Sequence, residues 1–468
     1  MQIIGALPIL CLAIGVIHLL LQQLLSENTA KQCSAIARFW VLASLFCTIA
    51  FYNFPICGEY FNNDSHTLLF ILLVNILIYI MFALSMTWFS AQNETGYKYY
   101  SLILIGNIFF SLLIASTNIY ILFFCFSGIV FTNRKLINLY KKKEEISKGL
   151  LNIPLSIIIL GCAVVCLWVL TDKNESINTI SKYFLTNKTD FLFFLVASLL
   201  LIPFFYELGM APFHLKTEEN ISRSALPVGH YLSAVIPLIW WGMIIKLTHV
   251  MLPAYQNNLA IIYEVIAVLS VITGAVGANS KGSLQRMYAY GSLYFSGCAL
   301  LLLSIFQKET EFSAFLVIII YLLNLNGLYA VGYNLKSHGT YLNTMASLSG
   351  MAKTRPQLTF SLLICIFSIL GFPPLAGFLG EMNTLYYLVT YEKYGNLVLV
   401  SLFLLWMAKA YLEIIRNIYA KQKTKNFDTE NKFAMFFTIL ICLTILIFTF
   451  NPGNVIEKMK DMYDVIWL

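Results

Sequence analysis

Apolar residues run through this chain in stretches of about 20, set apart by short polar segments from one end to the other. A stretch of that length crosses a hydrocarbon core of about 30 Å as a single helix. Fourteen such helices are predicted: Ile3–Leu21, Phe39–Phe54, Leu68–Phe89, Tyr100–Ala115, Ile119–Thr132, Ile153–Leu170, Phe191–Ala211, Pro227–Leu247, Leu259–Gly277, Tyr288–Ile305, Phe312–Tyr333, Leu358–Leu375, Leu397–Tyr419 and Phe433–Phe450. A further apolar stretch around Leu379–Val389 continues the twelfth after a break. The polar separators leave no room for a soluble domain. The fold expected is therefore one all-α polytopic membrane domain.

Two of the stretches are interrupted. The seventh runs into Glu207–Leu208–Gly209–Met210–Ala211–Pro212–Phe213–His214, and the twelfth into Leu370–Gly371–Phe372–Pro373–Pro374–Leu375–Ala376–Gly377–Phe378–Leu379–Gly380–Glu381. Both combine helix breakers with a carboxylate. A carboxylate inside a bilayer costs roughly 2.5–3.5 kcal/mol on insertion scales. A break at the same depth frees backbone groups that only protein or a water-filled cavity can satisfy. Interrupted segments at corresponding places in two halves mark the ion sites of repeat-built transporters. Helices 7 and 12 lie five apart, which implies two five-helix repeats in opposite orientations. The predicted divisions are 1–98 (helices 1–3), 99–250 (helices 4–8), 251–420 (helices 9–13) and 421–468 (helix 14).

Composition and charge agree with this picture. The chain is 59% hydrophobic and 11% charged, with a mean hydropathy of +0.76, where a globular domain carries about 25% charged residues. With fourteen helices, the odd-numbered connections carry twenty basic residues: Lys31, Arg38, Lys98, Arg134, Lys135, Lys141, Lys142, Lys143, Lys148, Lys216, Arg223, Lys281, Arg286, Lys336, Lys353, Arg355, Lys421, Lys423, Lys425 and Lys432. The even-numbered ones carry five: Lys173, Lys182, Lys188, Lys308 and Lys393. The odd connections are thus expected to face the cytoplasm or matrix, and both termini the other side. The net charge of +7 reports this topology, not nucleic-acid binding. The basic run Arg134–Lys148 is its strongest signal, with a contact to anionic lipid. Met1 leads straight into an apolar stretch with no basic leader and no small-residue cleavage site, as expected of a first membrane helix rather than a signal peptide.

Of the ten cysteines, Cys47, Cys125, Cys162, Cys166, Cys298, Cys365 and Cys442 lie mainly within apolar stretches. They read as packing residues, since an iron–sulfur cluster needs four thiolates. No Gly-rich nucleotide loop and no Cys/His metal cluster is visible. The chain is expected to hold no redox centre, cofactor or metal of its own.

The stretches "LGMAPFH" (208–214), "GFPPLAGF" (371–378), "LQRMYAYGSLYFSGCALLLL" (284–303) and "GMAKTRPQLTFSLLICIFSILG" (350–371) resemble the antiporter-like subunits of respiratory complex I, most closely the subunit 2 group. The match is clear over residues 205–420. The resemblance implies an antiporter-like fold of fourteen helices with helices 7 and 12 broken. It implies proton translocation coupled to electron transfer from NADH to ubiquinone, with NADH, FMN, iron–sulfur clusters and ubiquinone held by other subunits. The enzyme would be the proton-translocating complex as a whole. Partners would be other membrane-arm subunits, neighbouring antiporter-like ones among them, and lipids. High Phe, Tyr, Ile and Asn usage, with drift in the motifs, suggests a mitochondrial inner membrane; a bacterial inner membrane is the alternative.

The family's proton-handling positions are the ones that differ. Where the resemblance calls for a lysine five residues before the proline of "PFH", the chain has Glu207; after "GFxG" it has Glu381 in place of lysine. The mid-helix-8 lysine falls at Pro237, with Lys246 nine residues on, and the helix 5 glutamate falls near Ser127. "PFH" continues as Leu215–Lys216–Thr217–Glu218–Glu219. Either a carboxylate has replaced an ammonium as proton carrier, or the chain has lost its own path and is a structural member of the pump. A stand-alone cation/proton antiporter is the third reading.

The proton-path candidates are Glu207, Glu381, Lys409, Glu413, Lys246, Glu264, His214 and His230. Lys409 and Glu413 stand at i, i+4 and share a helix face, with Arg416 a turn further and free to snorkel. Lys246 lies near a helix end, where a lysine is more often a snorkelling interface residue than a proton carrier. Glu264 lies a turn inside helix 9. His214 and His230 flank the connection after the broken helix, either as proton relays or as structural donors.

Overall fold

The computed structural model describes residues 5–25, 29–51, 60–140, 154–187, 190–280, 282–337, 339–420, 427–429 and 431–450, with 453, 457 and 460 beyond them. Met1, the basic run past Tyr140, Lys188, Lys281, Lys421, Lys423 and Lys425 lie outside the described residues. Over the described residues, each of the fourteen apolar stretches falls mainly on helix. In chain order these are α1 (Leu7–Leu25), α2 (Ala30–Ala50), α3 (Ser65–Ala91), α4 (Tyr97–Ala115), α5 (Ile119–Leu139), α6 (Leu155–Leu170), the short α7 (Ile177–Thr186), α8 (Phe191–Leu208) and the short α9 (His214–Arg223). They continue as α10 (Leu226–Ala234), α11 (Ile236–Lys246), α12 (Gln256–Ala278), α13 (Leu284–Leu303), α14 (Lys308–Asn334), α15 (Met351–Thr354), α16 (Pro356–Ile369), α17 (Ala376–Thr390), α18 (Tyr394–Tyr419) and α19 (Lys432–Phe450). Among the described residues, ten segments are long and apolar enough to cross a membrane. Leu155–Leu170, Pro356–Ile369 and Lys432–Phe448 are apolar but shorter.

Helix starts follow capping chemistry. Thr29 and Gln32 form a reciprocal capping box on α2, Asp64 accepts from the Thr67 amide at 2.8 Å on α3, and Asn118 accepts from the Tyr120 amide at 2.8 Å on α5. Each satisfies amides that have no partner inside the helix. Outward-facing Ile17, Phe46, Phe124, Ile261 and Leu405 are all more than half exposed, which suits lipid and not water.

The eighth stretch is one span, Leu226–Met251, kinked at Val235 between α10 and α11, because Pro237 lacks an amide proton and its ring crowds the preceding turn. The helix then loosens into a π-helical turn, Leu247–Met251, and a 3₁₀ turn, Pro253–Tyr255, before α12. The amphipathic α7 and α9 and a two-stranded hairpin, Lys336–Ser337 with Thr340–Tyr341, were not visible as apolar stretches.

The chain divides into two compact units. One comprises the residues up to Leu208 with Val235–Leu259, and there α3 packs on α2 and α11, and α8 on α6 and α11. The other comprises Gly209–Ala234 with the chain from Ala260. Its centre is α14, which is apolar on every side and packs against α10, α13, α16, α17 and α19. A helix apolar all round belongs at a core.

Candidate functional site

The two breaks share one backbone pattern. Leu208–Gly209–Met210–Ala211–Pro212 and Leu370–Gly371–Phe372–Pro373–Pro374 both read Leu-Gly-x-x-Pro. In each, the glycine takes a left-handed conformation (φ +77° at Gly209, +66° at Gly371) and the peptide before the second-break or first-break proline, Pro374 or Pro212, is cis. A positive φ of this kind favours glycine. Freed amides find uncharged partners: Ala211 donates to Ser270 Oγ at 3.1 Å, and Gly377 to Ser368 Oγ at 3.0 Å. That meets the demand for internal satisfaction of backbone groups at depth.

Past the second break, α17 carries Glu381 into a small pocket of about 20 Å³, lined in part by Tyr294, Tyr321, Asn324, Ser368 and Thr384. Three of the wall's hydroxyls donate elsewhere. Tyr294 donates to Val400 O at 3.1 Å, Tyr321 to Tyr288 O at 2.9 Å, and Thr384 to Gly380 O at 2.9 Å. The Asn324 amide nitrogen donates back to Ile320 O at 2.8 Å, which fixes its oxygen toward the other side. Glu381 Oε1 and Asn324 Oδ1 are both buried without a hydrogen-bond partner. Two unpartnered acceptors therefore line a pocket where the Tyr294, Tyr321 and Thr384 hydroxyls already donate elsewhere, a place for a proton or a water hydrogen. The Glu381 carboxyl folds against the bare Cα of Gly371, where any side chain would collide with it.

In the same unit, polar groups lead from this cavity to His230. Tyr321 bonds the carbonyl of Tyr288, whose ring lies 5.2 Å from that of Tyr329. Tyr329 accepts from Ser233 Oγ at 2.9 Å and stacks on His230 at 4.5 Å. His230 is wholly buried, its Nε2 lying 3.0 Å from Asn326 Oδ1 and its Nδ1 without a partner. His230 is thus a core residue of α10 rather than an interfacial one. His214 opens α9, half-buried near the Tyr290 ring, 6.3 Å away. Burial pushes its imidazole below the ordinary histidine range, while Glu218 pulls the other way. Glu218 itself pairs with Arg286 at 3.0 Å.

In the first unit, Lys246 is only 6% exposed. It does not snorkel, because the chain continues as the π-helical turn and leaves Lys246 inside the packing. Its ammonium donates to the carbonyls of Ile114 and Ser116 at the end of α4. Asp64 and His66 are its ionisable neighbours, and His249 lies near His66. His66 is buried with neither ring nitrogen hydrogen-bonded. A second polar pair, Asn107 to Asn75 at 2.7 Å, joins α4 to α3. Glu207, at the end of α8, accepts from Ser156 Oγ at 2.5 Å. Ser127 bonds its own helix at Phe123 O, so α5 offers no acid there. The amides of Asn75 and Asn107 were the readable signals, as lone polar groups within apolar stretches.

The remaining candidates are not part of either cluster. Glu264 is held by Lys393 at 2.8 Å and Asn396 at 2.6 Å, tying α12 to α18. Both members are partly exposed, so Lys393→Met should cost no more than about 1 kcal/mol. Thermal inactivation of the assembled protein checks this, and protons moved per turnover should be unchanged. Lys409 and Glu413 share a face but do not pair: Glu413 takes Arg416 at 3.2 Å. Among the described residues, no group of three or more His, Cys, Asp or Glu is placed to hold a metal.

The family described as NADH:quinone oxidoreductase/Mrp antiporter, TM, matches residues 116–408. "NADH-quinone oxidoreductase subunit N 1" of Aquifex aeolicus is 24% identical over 416 residues, covering 87% of this chain and 88% of its own. "NADH-quinone oxidoreductase subunit N" of Pelagibacter ubique is 27% identical over 262 residues, where the chain spans only about half of its relative's length (55% of each). Among solved structures, respiratory complex I from Thermus thermophilus with bound aureothin contains a chain of the same fold. The TM-score is 0.73 at 17% identity, over 96% of this chain and 98% of that one.

Proposed function

The chain belongs to the NADH:quinone oxidoreductase/Mrp antiporter transmembrane family, and on that footing we propose that it is a membrane-arm subunit of a respiratory complex I, moving protons while other subunits pass electrons from NADH to ubiquinone. The observation that carries the proton role is Glu381: a carboxyl with an unpartnered oxygen, beside a helix break, in a pocket where the Tyr294, Tyr321 and Thr384 hydroxyls donate elsewhere. A carboxyl so placed binds and releases a proton without disturbing an ion pair. Tyr321, Tyr288, Tyr329 and His230 supply a polar route toward it within the same unit. NADH, FMN, iron–sulfur clusters and ubiquinone belong to partner subunits in this reading.

The finer topology goes with the same proposal. Fourteen crossings, with helices 4–8 and 9–13 as inverted repeats, are supported by the charge alternation and by the shared Leu-Gly-x-x-Pro breaks. The membrane is an energy-converting one, mitochondrial by composition or bacterial as in the relatives named. Purification from native membranes tests the assignment. The chain should co-migrate with flavin and iron–sulfur subunits; recovery only as a free oligomer overturns it and favours a stand-alone antiporter.

A further inference from the structure

Helix α18 buries one face and leaves the other bare. Met407, Ala410, Tyr411, Ile414 and Ile418 pack inward, while Leu402 (60%), Leu405 (72%) and Trp406 (53%) are exposed. Lys409 is exposed on that outward side. The spacing 402, 405, 409, 412, 416 follows one stripe of a helix. Among the described residues Lys409 has no carboxylate partner. Its ammonium only leans on the Trp406 ring, 5.9 Å from the centroid, and the nearby acid, Glu413, is paired with Arg416.

Depth makes this exposure telling. Lys409 stands ten residues before the helix ends at Tyr419, about 15 Å along the axis. The 26-residue helix is about 39 Å long, so with a hydrocarbon core of ~30 Å centred on it Lys409 lies about 11 Å inside the nearer edge, a depth that favours a partner over snorkelling. An ammonium facing acyl chains at that level is strongly disfavoured, and such groups are found paired or facing protein. Phosphate headgroups lie at the interface and cannot meet it there. A carboxylate on another membrane-spanning helix can.

We propose that the outward face of α18 docks a membrane-spanning segment of a neighbouring subunit that sets an Asp or Glu opposite Lys409, with Leu402, Leu405 and Trp406 forming the apolar part of the seam. The inference rests on the chain being a membrane-arm subunit and goes beyond that by fixing the face and the chemistry of the contact.

The test uses the intact complex, with a benzophenone side chain introduced at Leu405. The expected crosslink is to a membrane-spanning peptide of another subunit, with Asp or Glu within one helical turn of the joined residue. Lys409→Glu should lower recovery of the chain in the complex at least tenfold, and Lys409→Arg should retain it. Changing the crosslinked partner's acid to Lys should restore assembly of Lys409→Glu, which separates a lost pairing from a misfolded chain. Crosslinks to lipid alone, to a second copy or to the chain itself overturn the proposal, as does wild-type recovery of Lys409→Glu. Should the unmodified chain fail to co-purify with flavin and iron–sulfur subunits, the complex assignment falls instead.

Discussion

Glu381→Gln should lower proton-coupled turnover by about tenfold or more, with the amount of assembled chain unchanged. Gln preserves the size of the side chain and an acceptor oxygen for the cavity, so it tests the proton and little else. The Glu381 carboxyl makes no ion pair whose loss would destabilise the fold, and its inward oxygen has no hydrogen bond to break. What disappears is the ability to exchange a proton at a point flanked by Asn324 and Tyr321. Reconstitution in vesicles, reading NADH oxidation against proton uptake, measures the effect. Unaltered protons per NADH in a fully assembled complex would make this chain a structural member of the pump.

Gly377→Ala should be more damaging to assembly than to chemistry, removing most of the chain from the complex. A methyl group there would occupy the position of the Ser368 carbonyl, which is backbone and cannot rotate away. Overpacking of a tight core costs about 1–3 kcal/mol, and a clash with fixed backbone lies at the upper end of that range or beyond it. The move would also displace the Gly377 amide from Ser368 Oγ, reopening the break. Gly380→Ala is the matched control: the nearest atoms to its added methyl are 3.6 Å away or further, which is ordinary contact. The quantity of each variant in isolated complex, read on a native gel, decides. Equal recovery of the two variants would show that the break is not held by this close approach.

Much of this was readable along the chain. Each apolar stretch became helix because a segment surrounded by hydrocarbon or by other helices has no polar face to conceal. Gly209, Pro212, Gly371 and Pro374 announced both breaks. What escaped was three-dimensional. Pro237 sits among so many apolar neighbours that the stretch around it looked continuous, yet it splits α10 from α11. Lys246 looked terminal only because distance was counted to the end of the apolar stretch, whereas the fold continues the helix and encloses the ammonium. Glu264 takes its partner 129 residues away, and no local rule reaches so far. Lys409 and Glu413 had the right spacing to pair, but Arg416 claimed the acid. Of the site, the residue types were visible and their company was not: Glu381 could be picked out, Asn324 and the tyrosines leading to His230 could not.

The serine hydroxyls that catch the freed amides carry no charge, and among the described residues no cation is paired with Glu381. A proton arriving at this carboxyl is therefore not exchanged for a neighbouring positive group; it brings its whole charge into the electric field of the membrane. Shifting one elementary charge across the full potential is worth about 2.3 kcal/mol per 100 mV, and a group part-way through the bilayer feels the matching fraction. Under the proposed proton role, loading and unloading Glu381 would be an electrogenic step in its own right, with the transmembrane voltage acting directly on how often this residue is occupied.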